Sequence, residues 1–283
     1  QNRWKPLSVT AGAAGVVAGL CVMGLSKLEV NFFFKTIAAA AVLGMVIYGL
    51  RALGLPVDTG IAAISALMVL VPGLVFTNFM CDLITGDMVS GLSTFVRAVL
   101  TATAIAIGTG VALGLFQTLG LAAEGVGNRE DYGAVLQCLA AFLACSGFCV
   151  MYNVHGWGVV LCCLGGALGW AVYLAMGMVT GSIYLRYLVA GIAIAAYAEA
   201  MARVRKYPIT AYLVVSFFPL VPGSYIYYAM YYAIQGQRQL FLESGIQALG
   251  LASCLAIGTL LVSTTVRTCV TWRRERRMKR DTL

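Results

Sequence analysis

Charged side chains are scarce in this 283-residue chain and make up only 11% of it. An ordinary soluble domain carries about 25% charged residues, so the composition excludes that class. The hydrophobic residues, 61% of the chain, lie in long runs, which favour helices over short alternating strands. Because a bilayer offers no water to unpaired backbone groups, such runs must satisfy those groups internally. The sequence therefore predicts an all-α integral membrane protein.

Groups that bind metals or nucleotides are also scarce. The chain has one histidine, and its nine cysteines form no CxxC pair and no His/Cys cluster with zinc spacing. No P-loop, GxSxG, HExxH or Rossmann fingerprint occurs in a supporting context. We therefore expect no cofactor, no metal and no enzymatic activity. Inside a bilayer, cysteine behaves as a small apolar residue, and the cysteines are interpreted in that way.

Apolar runs of roughly 20 residues mark nine candidate spanning helices. They lie near residues 7–25, 31–50, 59–78, 92–116, 134–152, 157–179, 183–201, 209–234 and 245–266. The longest polar connection runs from Gln117 to Tyr132. It divides the chain into an N-terminal membrane repeat, residues 1–125, and a C-terminal repeat with a basic tail, residues 126–283.

Most of the net charge of +8 lies after the last apolar run. A cationic tail in this position is a topology signal and a contact for lipid headgroups, so nucleic acid is not an expected partner. The positive-inside rule places the C-terminus in the cytoplasm and Gln1 outside, in a plasma or inner membrane. An outside start without a cleavable signal suggests that one further helix precedes Gln1. The full chain would then have ten helices, five in each half.

A tetrapeptide in the first half recurs in the second. Leu70-Val71-Pro72-Gly73 reappears 150 residues later as Leu220-Val221-Pro222-Gly223, and the same offset relates Gly86 to Gly236 and residues 106–109 to residues 256–259. The two Pro-Gly helices are five crossings apart and must run in opposite directions. The sequence thus predicts two inverted five-helix repeats with Pro-Gly-broken helices, an arrangement typical of secondary transporters and also found in channels.

Each Pro-Gly pair interrupts helical hydrogen bonding, and the freed backbone groups can bind a polar solute where they line a cavity. A kink that only helps helices to pack is the alternative for either pair alone. The residues expected to bind solute are Pro72, Gly73, Thr77 and Asn78 at the first break and Pro222, Gly223, Ser224 and Tyr225 at the second. The first group is followed by carboxylates and the second offers hydroxyls, which together suit an amphoteric or hydroxylated small solute.

Two carboxylates follow the first break, Asp82 and Asp87. Burial favours the neutral form of a carboxylate, which can then carry a proton, so both are candidates for proton coupling. For Asp87 the alternative is a solvated loop carboxylate. Ser90 is a candidate cap of the next helix, and Arg97 is a candidate partner of one carboxylate.

Polar side chains at the ends of two later helices are weaker candidates. Asn153 and His155 end the fifth candidate helix, where a supporting role competes with a plain interfacial position. Glu199 lies one turn before Arg203, and an ion pair between them is the simpler interpretation.

The motifs around both breaks resemble the threonine/serine exporter (ThrE) family. The similarity runs from Leu70 through Asp82 to Arg97, and in the second half it covers residues 147–148, 152–154 and 219–225. It implies ten helices, in one polypeptide or split between two subunits, and export of threonine and serine, with a split form linked to succinate. Both halves are fused here, as in the single-chain form, whereas the family's N-terminal cytoplasmic region and first helix are not visible.

The sequence motifs and the family resemblance together predict a secondary exporter of small hydrophilic metabolites. Threonine and serine are the first candidate substrates, and their export is expected to be coupled to the movement of protons in the opposite direction. The alternatives are a dicarboxylate (succinate) exporter, a passive channel or facilitator on the same fold, and a structural or assembly protein of the membrane. The expected partners are the solute, protons and the lipid bilayer, and homo-oligomerisation is left open.

Overall fold

A computed structural model describes residues 31–53, 73–120 and 133–281, together with Gly24 and Leu70. All regular elements within these residues are helical, which confirms the all-α prediction. We number the α-helices in chain order and note a 3₁₀ turn at Phe218–Leu220. The helices are α1 Phe32–Ala52, α2 Gly73–Thr85, α3 Met88–Thr118, α4 Ala134–Met151, α5 Trp157–Val179, α6 Ile183–Arg205, α7 Ile209–Phe217, α8 Gly223–Ile234 and α9 Arg238–Asp281.

Five of these described helices are long and apolar enough to cross a membrane, namely α1, α3, α5, α6 and the Arg238–Trp272 part of α9. The bent pair formed by α7 with its 3₁₀ turn and α8 is either a sixth, broken span or a re-entrant loop, and Ala134–Val150 is a shorter apolar helix. The protein is therefore a multi-pass membrane protein. Of the predicted span 7–25 only Gly24 is described, and of the span 59–78 only Leu70 and residues 73–78 are described, so the totals of nine and ten helices stay predictions.

By its internal contacts the chain divides into two compact units. Within the described residues, unit 1 comprises 31–53, 73–75, 93–120 and 222–248, and unit 2 comprises 76–92, 133–221 and 249–281. Each unit thus contains a segment from the opposite half of the chain: unit 1 includes α8, and unit 2 includes most of α2.

Glycines set the helix spacing in unit 1. A Cβ added to Gly108 on α3 would meet the carbonyl oxygen of Ile37 and would come within 2.7 Å of the Cβ of Ala40, both on α1. A Cβ on Gly44 would lie 2.6 Å from that of Ala112. Small residues let membrane helices approach closely enough for their backbones to pack, so α1 and α3 form one tightly packed pair.

Unit 2 is built around α4, α5, α6 and α7, with buried cysteines in its core. Cys145, Cys149, Cys162 and Cys163 are at most 1% exposed. The thiol of Cys145 donates to the carbonyl oxygen of Val215 at 3.5 Å, and that of Cys162 donates to Ala211 O at 3.6 Å. These contacts fit the interpretation of the cysteines as small apolar residues that fill the spaces between helices.

The same helix crossing occurs once in each unit. Gly258 on α9 stands 150 residues after Gly108, and its added Cβ would lie 3.0 Å from both Leu188 O and Ile192 N on α6. The carbonyl oxygens that lie against these two glycines belong to Ile37 and Leu188, which are 151 residues apart. A close α1–α3 contact in unit 1 therefore has a counterpart between α6 and α9 in unit 2.

The same turn also occurs twice. Gly86 and Gly236 have φ angles of 88° and 69°, and each joins a short helix to a long one. The N–H of Asp87 donates to Asp82 O at 2.9 Å, and the N–H of Gln237 donates to Tyr232 O at 2.9 Å. The residues of one turn lie 150 positions before those of the other, so the repeat seen in the sequence extends to local geometry.

Gly86→Ala is expected to destabilise the protein by about 1 kcal/mol, because an L-residue with left-handed φ costs roughly 1–2 kcal/mol. Nothing lies within 4 Å of the added Cβ, so the cost is one of backbone conformation only. Gly236→Ala should cost a similar amount. Gly245→Ala, in a helix and also without neighbours within 4 Å, is the control and should not destabilise. Thermal unfolding of purified protein measures all three, and equal midpoints for Gly86→Ala and Gly245→Ala would contradict the argument.

Candidate functional site

The span that contains Pro222 is broken where the sequence predicts. After the 3₁₀ turn ends at Leu220, Val221 is extended with φ −60° and ψ 128°, and α8 begins at Gly223. Proline cannot donate a backbone hydrogen bond, which is why the helix stops here instead of continuing. Pro222 and Gly223 are both buried, so the interruption lies inside the protein.

Of the Pro-Gly pair at the first break, only the glycine lies within the described residues. Gly73 is the first residue of α2, just as Gly223 is the first residue of α8. Pro72 lies outside the described residues. Both Pro-Gly motifs therefore have their glycine at the start of a short helix, which then ends at one of the two equivalent turns.

Asp82 accepts a hydrogen bond near the end of α2. The hydroxyl of Ser90 donates to its Oδ2 at 2.9 Å, in a partly buried position, and both residues belong to unit 2. The side chain of Asp82 is thus held by a specific partner across the Gly86 turn instead of lying free in a loop.

Asp87 has a different environment. It is exposed, and its Oδ1 accepts from the backbone N–H of Ser90 at 3.2 Å. Because α3 begins at Met88, this contact makes Asp87 the cap of that helix. The cap that the sequence suggested at Ser90 is therefore wrong: Ser90 supplies the backbone donor to Asp87 and uses its hydroxyl for Asp82.

The other candidate solute-binding residues near the first break differ in solvent exposure. Thr77 is buried at 3% exposure, whereas Asn78 is exposed. The guanidinium carbon of Arg97 lies 5.6 Å from the ring centroid of Phe32, within range of a cation–π contact. A pairing of Arg97 with Asp82 or Asp87 stays a prediction.

Asn153 and His155 lie in the tight turn between α4 and α5. Both are exposed, and the Nδ1 of His155 donates to the carbonyl oxygen of Asn153 at 2.8 Å. Asn153 has a left-handed φ of 56°, which asparagine tolerates better than most residues. This hydrogen bond and the left-handed φ explain why asparagine and histidine suit the turn. A supporting role of the two residues in transport stays a prediction.

Glu199 and Arg203 form the expected ion pair on α6. Arg203 Nη2 lies 2.8 Å from Glu199 Oε2. Since the arginine side chain is half exposed, the pair is of the kind that contributes at most about 1 kcal/mol.

Around the second break the structure adds residues that the sequence did not single out. Ser224 and Tyr225 are half-buried, whereas Tyr227, one helical turn after Gly223, is only 8% exposed. The rings of Tyr227 and Tyr231 lie nearly parallel with centroids 6.4 Å apart. The side chain of Tyr48 on α1 is close enough to both for an electrostatic interaction.

Spacing alone could have identified two of these tyrosines. Gly223, Tyr227 and Tyr231 follow one another at intervals of four and so share a helix face. Tyr48 lies 179 residues before Tyr227, and no local pattern relates them. The structure thus gathers Asp82, Asp87 and Ser90 in unit 2 and the tyrosines in unit 1, while a solute site formed jointly by the two breaks stays a prediction.

Both halves of the chain match models of known protein families. Residues 137–265 match the family model described as "Threonine/Serine exporter, ThrE", and residues 3–116 match a second threonine/serine exporter model. No curated protein and no solved structure matches the chain. Members of this family are transporters. The chain therefore belongs to the threonine/serine exporter family, with both of its halves fused in one polypeptide, and is a membrane transporter and not an enzyme.

Proposed function

We propose that this protein is a secondary exporter of small hydrophilic metabolites, threonine and serine above all, and that the proton motive force drives it. Membership of an exporter family supports export. The observation that carries the mechanism is the buried break at Pro222-Gly223, because an interrupted helix presents backbone groups to a solute inside an otherwise apolar span. The protein acts in the plasma or inner membrane with its C-terminus in the cytoplasm.

Threonine or serine binds near the membrane midplane, at the Pro72-Gly73 and Pro222-Gly223 breaks. Both amino acids are amphoteric and carry a hydroxyl, so backbone amides and carbonyls with Ser224 and Asn78 offer them matching donors and acceptors. Thr77 and Tyr225 complete the set of contacts. Arg97, Asn153 and His155 have supporting roles.

Two inverted repeats, residues 1–125 and 126–283, create this pair of breaks. Three recurring features support the repeat: a helix that begins at the Pro-Gly glycine, the turn at Gly86 or Gly236, and the crossing at Gly108 or Gly258. Opposite direction follows from the five crossings between the two motifs. Alternating access then consists of one repeat moving against the other around the solute.

Gly223→Leu is expected to abolish threonine binding. Gly223 is buried at the start of α8, and a leucine side chain would occupy the space that the solute needs beside the freed backbone. Gly73→Leu should act in the same way at the first break. Equilibrium binding of labelled threonine to purified protein measures both.

Gly245→Leu is the matched control, since no atom lies within 4 Å of its added Cβ. It should bind threonine like the unchanged protein. Unaltered affinity in Gly223→Leu and Gly73→Leu, with folding intact, would move the site elsewhere.

Efflux from proteoliposomes tests the substrate. Labelled threonine, serine and succinate are loaded in turn, with and without an imposed pH gradient. Gradient-dependent movement of threonine or serine is the expected result. Movement of succinate alone would keep the mechanism and change the solute, and gradient-independent movement would favour a channel. Absence of flux for all three would contradict the proposal.

A further inference from the structure

Three tyrosines of unit 1 form a compact cluster that the proposed solute site does not include. Tyr227 and Tyr231 lie on α8 with stacked rings, and Tyr48 lies on α1, within electrostatic range of both. The ring of Tyr48 also packs against Phe116 of α3, with centroids 5.8 Å apart. We call Tyr48, Tyr227 and Tyr231 the tyrosine cluster.

The hydroxyls of this cluster are incompletely paired. Tyr231 accepts a hydrogen bond from the side-chain nitrogen of Gln235 at 3.0 Å. In the part of the chain that the structure describes, the hydroxyls of Tyr48 and Tyr227 form no hydrogen bond. Only 8% of Tyr227 is exposed. Within the described residues the hydroxyl oxygen of Tyr227 is not fully buried, so it can bond a polar group that is present only part of the time.

The cluster lies in line with the second break. Gly223, Tyr227 and Tyr231 occupy one face of α8, and eight residues of helix span about 12 Å. Tyr227 is the first of these side chains beyond the glycine at which the solute is proposed to bind. A solute that leaves the break along this face meets the tyrosine hydroxyls and rings next.

The chemistry of tyrosine favours a cationic partner. Its ring face attracts an ammonium group, and its hydroxyl oxygen accepts the N–H bonds of that group. We propose that the tyrosine cluster binds the primary ammonium group of an amino-acid solute on its way out of the Pro222-Gly223 break. This inference rests on the proposed export function and adds to it a basis for preferring amino acids over dicarboxylates.

One nearby charge argues for a different ligand. Arg51 follows Tyr48 by three residues on α1 and shares its side of the helix. A guanidinium there would favour a carboxylate, which threonine and succinate both carry. The test therefore compares solutes that differ only in the ammonium group.

The test measures KM for efflux of threonine and of 2,3-dihydroxybutyrate, in which a hydroxyl replaces the ammonium. Tyr227→Leu removes ring and hydroxyl and should raise the KM for threonine roughly thirtyfold, the size of a desolvated cation–π contact of about 2 kcal/mol. It should leave the KM for the dihydroxy acid within about twofold, well below one tenfold step. Tyr227→Phe keeps the ring, and its effect on threonine should fall between those of the unchanged protein and Tyr227→Leu. Tyr207→Phe, on an exposed tyrosine between α6 and α7, is the control.

Equal increases in KM for both solutes, or no increase for either, would overturn the ammonium site. Transport of succinate but not of threonine by the unchanged protein would overturn it as well and leave an exporter. Absence of all flux in the unchanged protein refutes the proposed function, and the site with it. Thermal unfolding identifies any variant that fails to fold, and Tyr48→Phe then repeats the comparison at a second member of the cluster.

Discussion

Asp82→Asn protein is expected to fold normally and to lose all threonine efflux that depends on a pH gradient. An amide is nearly the same size as a carboxyl group but does not exchange a proton under these conditions. The hydroxyl of Ser90, which donates to Asp82 at 2.9 Å, can donate to an amide oxygen as well. The local structure therefore survives while the proposed proton carrier is removed. Downhill exchange of threonine for threonine, which moves no proton, should persist.

Asp87→Asn is the matched control for this experiment. Asparagine caps helices about as well as aspartate, so the contact with the N–H of Ser90 is kept and only the charge is lost. We expect gradient-driven efflux close to that of the unchanged protein. If Asp82→Asn retains full gradient-driven efflux, Asp82 has no part in coupling. If Asp87→Asn is the variant that loses it, coupling belongs to Asp87.

Gly108→Leu is expected to cost about 3 kcal/mol of stability, the top of the usual range for overpacking. The added side chain would overlap the backbone of α1 at Ile37 and Ala41, the latter 2.9 Å from the Cβ position. Backbone atoms of a packed helix have little room to move. The yield of folded protein and its unfolding midpoint should both fall sharply. Gly258→Leu should behave alike, because its Cβ would lie 3.0 Å from Leu188 O.

Each of these glycines has a control on its own helix. Gly114 lies on α3 with Gly108, and Gly245 lies on α9 with Gly258. Neither control has an atom within 4 Å of an added Cβ. Leucine at either position should leave the unfolding midpoint nearly unchanged or raise it slightly, since leucine is the better helix former. A loss as large as that of Gly108→Leu would show that the close helix contact does not set the cost.

Hydropathy predicted the helices of this protein well where their ends are set by polar residues. The span predicted at 157–179 coincides with α5, and that at 134–152 differs from α4 by one residue. The last predicted span, 245–266, lies within the apolar Arg238–Trp272 part of α9, and the helix itself continues through the basic tail to Asp281. Membrane insertion limits the apolar part of a helix, whereas arginine and lysine are good helix formers beyond it.

The break at Pro222-Gly223 could also be predicted, since proline acts on its own backbone. Contacts between distant segments could not. Tyr48 meets the tyrosines of α8 only after α1 and α8 have packed within unit 1, and Arg97 lies over Phe32 for the same reason. The cap of α3 was placed at Ser90 instead of Asp87 because the helix begins earlier, at Met88, than hydropathy indicated.

Uphill movement of threonine tests the central claim most directly. Proteoliposomes with an acidic lumen are placed in labelled threonine at equal concentrations inside and outside. Protons that leave through an antiporter should draw threonine inward, so the account predicts accumulation in the lumen above the outside concentration, reversed when an ionophore collapses the pH gradient. Threonine that only stays equal on both sides, however fast it exchanges, would contradict coupling and indicate a passive pathway.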